Sequence, residues 1–347
     1  MSLAPYTTLR IGGRARYFAV ADSEDEVAGG LAFAMSKGLP IFILGGGSNV
    51  LIADTGFDGL VLQIALKGIN SSEFRVPSSE LIADSNSKLI VAQAGEDWDG
   101  FVKYCVENDL AGVECLSGIP GFVGGTPVQN VGAYGQEVSE TIVSVRCFDR
   151  KIKDFVTLSN AECGFTYRTS IFNSTERDRY IVLSVTFALQ KEGGPKIVYK
   201  DLIEYFDGDQ PTLSEVRSAV LTIRRAKSMV IDKDDPNSRS AGSFFKNPIV
   251  GREKLAALQA EFGRLPFFDF GDAVKIPAAW MIENAGFWKG FALGNAGIST
   301  KHTLAIINRG GASAADIISL KNKIQKAVEA KFGILLEPEP IFVGFKV

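Results

Sequence analysis

The chain has 347 residues, long enough for two or three cores, and its 46% hydrophobic and 22% charged residues are the balance of a globular protein. A formal charge of -3 without any Lys/Arg-rich run argues against a nucleic-acid surface, and no apolar stretch is long enough to span a membrane. One histidine and four dispersed cysteines argue against a Cys/His metal site, and Met1 to Tyr6 lack a signal-peptide pattern, so Cys105, Cys115, Cys147 and Cys163 read as reduced thiols of a cytoplasmic protein.

Along the chain, Ser23 with Glu26 three residues on opens a helix through Leu31, Phe33 and Met35, which Gly38-Leu39-Pro40 stops. An apolar strand over 41–44 then empties into Gly45-Gly46-Gly47, whose bare N–H groups can converge on phosphate oxygens. Val50-Leu51-Ile52 follows as a second strand-like run. A Gly-x-Gly-x-x-Gly dinucleotide fold needs a helix there and a third glycine where Val50 stands, so that fingerprint is absent. No Gly-Lys-Ser/Thr follows to make a P-loop. Strand-like runs at 60–64, 89–94, 142–148 and 180–189 surround one helix at 97–108, with the polar stretch 78–87 as a surface loop. Between them, residues 121–135 hold five glycines and a proline without helical or strand periodicity. Such a segment lets a large flat or charged group approach the backbone. Two backbone-lined cradles point to a dinucleotide cofactor with a pyrophosphate.

A second part opens with a helix start near Ser214, followed by a polar loop at 231–238. A last helix begins at Ser313 with Asp316 in the capping-box position and ends at Gly333, and a short strand over 334–336 runs into Glu337-Pro338-Glu339-Pro340. Three polar groups stand in contexts that restrain them. Arg168, among aromatics and just before a strand, suits a carboxylate or phosphate, or a structural ion pair. Ser243 lies between small residues and two phenylalanines; it is either a hydrogen-bonding group in a dry pocket or the cap of a turn. Glu339 is bracketed by prolines that restrict its backbone, which serves a carboxylate aimed at substrate; the plainer alternative is a solvated tail group. His302 precedes a buried strand, where a lone histidine is more often structural.

Five segments in this order resemble one family, UDP-N-acetylenolpyruvoylglucosamine reductase: 43–51, 118–121 running on to 129–135, 167–172, 241–248 and 336–339. The resemblance covers nearly the whole chain. It implies an α+β architecture, an FAD-binding fold of the vanillyl-alcohol-oxidase type with a C-terminal α+β substrate-binding domain. The implied division is 1–66 with 333–347 and 67–213 as two FAD-binding subdomains, and 214–332 for substrate. It implies that NADPH reduces FAD and that hydride passes from flavin N5 to C3 of the enolpyruvyl group of UDP-N-acetylglucosamine-enolpyruvate, with protonation at C2, yielding UDP-N-acetylmuramate for peptidoglycan. The Gly-rich segments contain no histidine or cysteine to tether the flavin, so the FAD is expected to be non-covalent.

By the matching motifs, FAD would lie against Leu44, Gly45, Gly46, Gly47, Ser48 and Asn49, then Ser117, Gly118, Ile119, Pro120 and Gly121. It would continue along Gly124, Gly125, Asn130, Gly132, Ala133, Tyr134 and Gly135. Ser243 would protonate C2, while Arg168 and Glu339 stabilise the enol-type intermediate. Tyr167 and Tyr199 would face the substrate, Lys227 the diphosphate, Asn247 the uridine end, and His302 a polar position nearby. Two departures stand out: Leu9-Arg10-Ile11-Gly12-Gly13 and the Tyr199 segment look like different subgroups, and Pro340 stands where many relatives carry an aliphatic residue. The rival readings are another FAD-dependent oxidoreductase of the superfamily, acting on a small alcohol or sugar, and a silent nucleotide-sugar binding protein. The oligomeric state stays open.

Overall fold

The computed structural model describes residues 1–72 and 86–345. The chain divides into two compact units, a terminal unit of residues 1–15, 47–57 and 231–347 and a middle unit of residues 16–46 and 58–230. The expected surface loop at 78–87 lies, as far as residue 85, outside the described residues.

The middle unit is built on an antiparallel sheet centred on the strand Tyr180–Lys191. It pairs with Ile142–Asp149 on one side and Ser87–Gln93 on the other, and Asp154–Ser159 and Ile69–Ser72 carry the sheet outward. Ile181, Val182, Leu183 and Val185 are all buried, because both faces of this central strand are covered. A smaller sheet places Phe57–Ile64 between Ala15–Ala21 and Ile41–Leu44, with Ile41 parallel and opposite Leu60. The helix Trp98–Glu107 has Asp97 as its cap, accepting from the N–H of Gly100 at 2.8 Å. Its apolar positions 98, 101, 102, 105 and 106 recur at helical spacing and are buried. Trp98 and Phe101 pack on Phe187 of the central strand with ring centroids 6.1 and 4.8 Å away. Burying each such ring stabilises the fold by about 1.5–3 kcal/mol.

In the terminal unit, Ile341–Val343 runs parallel to Val50–Ile52, so the end of the chain closes against its beginning. The helix Ala314–Phe332 has the expected capping box of Ser313 and Asp316 and ends at Gly333 with φ 62°. A carboxylate from elsewhere in the unit adds to that start: Asp54 accepts from the N–H groups of Ala314 and Ala315 at 2.7 and 3.0 Å. The helix buries Ile317, Leu320, Ile324, Val328 and Phe332 in a core shared with Leu9, Ile11 and Leu51.

The helix expected near Ser214 is present and begins at Leu213, where Thr212 and Glu215 form a reciprocal capping box. Two local expectations are corrected. No strand directly follows Arg168; Ser170 and Asn173 cap a single 3-10 turn, Ile171–Asn173. The run 334–336 alternates buried, exposed and buried as a strand would, yet it joins no sheet. The side chain of Gln325 takes the carbonyl of Leu336 at 2.7 Å, and ladder pairing starts only at Ile341.

Candidate active site

In the middle unit the Gly-rich segments meet main chain to main chain. A Cβ on Gly46 would fall 2.7 Å from the Cα of Gly121, a contact that only glycine permits. Gly45 and Gly125 have nothing within 4 Å of where a side chain would begin, so their backbone faces stand bare. Among the described residues, the N–H groups of Gly46, Ile119 and Gly121 donate to no protein acceptor. The turn from Ser117 to Gly121 is fixed from behind: Trp98 Nε1 donates to the carbonyl of Leu116 at 3.1 Å, and the N–H of Gly118 donates to Asp99 at 2.6 Å. Asp99 also accepts both arms of the Arg217 guanidinium at 2.6 and 2.8 Å. Burial works to raise the Asp99 pKa, but Arg217 and the Gly118 N–H outweigh it and hold the carboxyl below its ordinary value.

The hairpin that follows pairs Gly132–Ala133 with Gln136–Glu137, and its two turn residues, Tyr134 and Gly135, have φ 50° and 82°. Two positive φ values are the signature of a tight I′ turn, and they present the Tyr134 ring at the hairpin tip. Burial pushes the Tyr134 phenol above its usual pKa, against the nearby Arg224 charge, which works to lower it. Asn130 spends its amide on Glu137 at 2.8 Å, the carbonyl of Thr166 at 3.1 Å and the N–H of Ser139 at 3.1 Å. Arg168 sits at φ 55°, donates to the carbonyl of Gly132 at 2.7 Å, and lies over the ring of its neighbour Tyr167 at 5.4 Å. Tyr199 stands edge-on to Tyr134 with ring centroids 5.5 Å apart, and Lys227 joins Asp201 at 2.6 Å with its ammonium 5.9 Å above Tyr134. Arg168, Tyr134, Tyr199 and Lys227 are thus gathered around one hairpin.

Arg224 is buried and its Nε has no partner among the described residues; it lies 3.4 Å from the point where a Cβ on Gly118 would stand. A buried cationic N–H without an acceptor is costly unless something takes it. Together with the bare N–H groups of Ile119 and Gly121, this is a donor set suited to a flavin dinucleotide.

The terminal unit carries Gly47, Ser48, Asn49, Ser243, Asn247, His302 and Glu339. Here Ser243 and Glu339 are brought onto neighbouring extended segments by main-chain bonds. Phe244 donates to Leu304 at 2.8 Å, Glu339 donates to Phe244 at 2.9 Å, and Lys246 donates to Glu337 at 3.0 Å. Phe244 and Phe245, both fully buried, pin the segment after Ser243, and Asn49 Nδ2 reaches the carbonyl of Glu339 at 3.3 Å. Ser243 and Glu339 are themselves half-buried. Asn247 uses its side-chain oxygen on the N–H of Ala278 at 2.9 Å, and His302 accepts through Nδ1 from Leu304 at 3.1 Å. Sequence reasoning missed Asp99 and Arg217, which hold the turn 117–121, and the buried Arg224. Asp99 and Arg217 are 118 residues apart, so no local pattern could have revealed the pair.

Comparison with known proteins gives a consistent picture. Residues 15–151 match an FAD binding domain, and residues 234–343 match the C-terminal domain of UDP-N-acetylenolpyruvoylglucosamine reductase. The chain is 45% identical to the UDP-N-acetylenolpyruvoylglucosamine reductase of Thermobifida fusca, across 99% of this chain and 96% of that protein. It is 43% identical to that of Salinispora arenicola, across 99% and 94%. A crystal structure of UDP-N-acetylenolpyruvylglucosamine reductase from Thermus caldophilus shares the fold, with a TM-score of 0.66 at 24% identity over 99% of this chain and 97% of that one.

Proposed function

The chain belongs to the UDP-N-acetylenolpyruvoylglucosamine reductase family, and from that premise we propose which of its residues carry the reaction. The protein is an FAD-dependent, NADPH-dependent reductase that converts the enolpyruvyl group of UDP-N-acetylglucosamine-enolpyruvate to UDP-N-acetylmuramate, a step of peptidoglycan precursor synthesis. Its fold is the FAD-binding fold of the vanillyl-alcohol-oxidase type with an α+β C-terminal domain. Oxidation of a small alcohol or sugar is disfavoured, since relatives matched over the whole length carry the reductase name.

Bound FAD supplies the two-electron carrier between NADPH and substrate. The residues that would hold it are Leu44, Gly45, Gly46, Gly47, Ser48 and Asn49, the turn 117–121, then Gly124, Gly125, Asn130, Gly132, Ala133, Tyr134 and Gly135, with the buried Arg224. The chain's own work is electrostatic and acid–base. Adding hydride to C3 of an enol ether builds negative charge beside the carboxylate. The Arg168 guanidinium stabilises that charge, and being restrained it needs little reorganisation. Glu339 is the second group at the developing enol. Ser243 delivers a proton to C2, which requires a donor held on one face; the main-chain bonds that seat it beside the Glu339 segment are the observation that carries this assignment. Tyr167, Tyr199, Lys227, Asn247 and His302 bind the nucleotide-sugar. Residues 1–66 with 333–347 and 67–213 are proposed as the FAD-binding subdomains and 214–332 as the substrate-binding domain, although Arg224 is assigned to FAD and Tyr167, Arg168, Tyr199 and Glu339 act on substrate. No helix among the described residues is long and apolar enough to cross a membrane. A cytoplasmic location and the lack of a nucleic-acid partner complete the proposal.

Stopped-flow kinetics tests it. Ser243→Ala should leave bleaching of the flavin by NADPH intact and slow its reoxidation by substrate by ~10²–10⁴-fold, the usual contribution of positioned proton transfer. Equal slowing of both half-reactions would make Ser243 a structural residue. A protein that is colourless and cannot be reconstituted with FAD would overturn the cofactor.

A further inference from the structure

Glu114 is a fully buried carboxylate that the mechanism above does not use. Its Oε2 accepts from the N–H of Gly112 at 2.8 Å. Its Oε1 accepts from Gln136 Nε2 at 3.1 Å and from the N–H of Lys196 at 2.9 Å. No cation pairs with it among the described residues, so three N–H donors replace the water it has lost. Those donors come from three separate places: the turn before Glu114, the hairpin that carries Tyr134, and the segment that leads into Tyr199.

Lys196 is held at every polar atom. Its N–H goes to Glu114, its carbonyl accepts from Cys115 Sγ at 3.2 Å, and its ammonium meets Glu140 at 2.7 Å. Beyond it, Ile197 packs on the small cluster of Cys115, Leu202, Val216 and Val220, and then the chain emerges. Val198 and Tyr199 are 58% and 39% exposed, and so is much of the short helix Lys200–Phe206. Gln136 closes the network by accepting from the N–H of Cys115 at 2.9 Å.

We propose that Glu114 is a positioning residue that fixes the base of the Tyr199 arm to the Tyr134 hairpin, so that the two tyrosines face the substrate in one geometry. The proposal rests on the reading of Tyr199 as a substrate-facing residue. The turn 117–121 does not depend on this carboxylate, because Asp99, Trp98 and main-chain bonds hold it. Removing the Glu114 carboxylate therefore releases the arm without releasing the flavin.

The test uses Glu114→Leu, which removes every acceptor, and Glu114→Gln, which leaves one oxygen for donors that share two. In the FAD-loaded protein without substrate, hydrogen exchange at residues 196–199 rises on the order of 10- to 100-fold in the Leu variant, the contribution of a hydrogen bond to a charged group. The Gln variant loses protection at Gly112 or at Lys196. FAD content and the rate of bleaching by NADPH stay within about twofold, while KM for the enolpyruvyl substrate rises about tenfold and kcat changes less, the pattern of lost binding geometry. The double variant Glu114→Gln with Gln136→Glu returns a carboxylate to the network and restores part of the KM. Unchanged exchange at 196–199 and unchanged KM in a folded Leu variant would overturn the proposal. If that variant does not fold, full protection at both Gly112 and Lys196 in the Gln variant overturns it. Wild-type protein unable to reduce the substrate would instead overturn the function assigned above, and the exchange measurement, which needs no substrate, would still judge Glu114.

Discussion

The two units hold their candidate residues in different ways. In the middle unit, charged and amide side chains do the holding: Asp99 grips Arg217 and the Gly118 N–H, Asn130 grips Glu137, and Arg168 is bonded to the Gly132 carbonyl. In the terminal unit, the backbone does most of it, through the main-chain bonds that link residues 244, 246, 304, 337 and 339, and the Asn49 side chain adds a bond to the Glu339 carbonyl. A site held by side chains loses its geometry when one side chain is changed. A site held by main chain keeps its geometry and loses only the chemistry of the altered group. Substitutions in the two units should therefore fail in distinguishable ways.

The largest effect is expected at Glu339. Its backbone is fixed by Pro338, Pro340 and its bond to Phe244, so Glu339→Gln keeps its place while removing the acid. Reoxidation of prereduced enzyme by substrate should slow on the order of 10²-fold or more, with FAD content and thermal stability unchanged. Glu339→Asp retains the acid but draws it back by a methylene, and a displacement of about 1 Å can cost a similar factor. Near wild-type reoxidation in the Gln variant would reduce Glu339 to a solvated tail group.

Asp99 should show the opposite pattern. Asp99→Asn leaves one oxygen for the Gly118 N–H and Arg217 to share and breaks the charge pair with Arg217, which costs about 1–2 kcal/mol once its partly exposed side is discounted. FAD should then be lost more readily on dialysis, while the fraction that retains it turns over normally. The pH dependence has a definite sign. Because the folded-state pKa lies below the unfolded value of about 3.8, the ionised carboxylate stabilises the protein above that pH. That stability drains away as the pH falls below about 4 toward the lower folded-state value. Denaturation midpoints measured across this range should fall less steeply for the Asn variant, and parallel curves would remove the clamp from the account.

The division between units also explains what the sequence could reveal. Caps were legible at Ser23 and Ser313, because their partners lie three residues away. The glycine turns were legible as backbone cradles, and the whole-chain motif order was legible as a family resemblance. The side-chain clamps were not. Asp99 and Arg217 are 118 residues apart, and Glu114 and Lys196 are 82 apart, so nothing local marks them as partners. The run 334–336 misled for a related reason, since alternation reports burial on one face, not a ladder partner on the edge. Burial of the four cysteines fits the reading of unreactive thiols, with Cys163 pushed up to about 12 by desolvation.

The smallest expected effect tests whether the contrast concerns the site or the unit as a whole. Among the side-chain clamps of the terminal unit, Asp54 on the first N–H groups of the helix Ala314–Phe332 involves no candidate residue. Asp54→Asn keeps one oxygen to accept from Ala314 or Ala315 and loses the charge that favours a helix N-terminus. Ser313 and Asp316 still cap the same turn, so the loss should be limited to about 0.3–1 kcal/mol. For a chain of this length, with unfolding entropy near 2.1 cal/mol/K per residue, that lowers Tm by about 0.4–1.4 °C if the protein melts as one unit. FAD content and both half-reactions should match wild type, because the backbone that seats Ser243 and Glu339 is untouched. A drop in substrate reoxidation without a matching drop in stability would show that this helix start feeds into the site, and the terminal unit would then share the dependence on side-chain clamps seen in the middle unit.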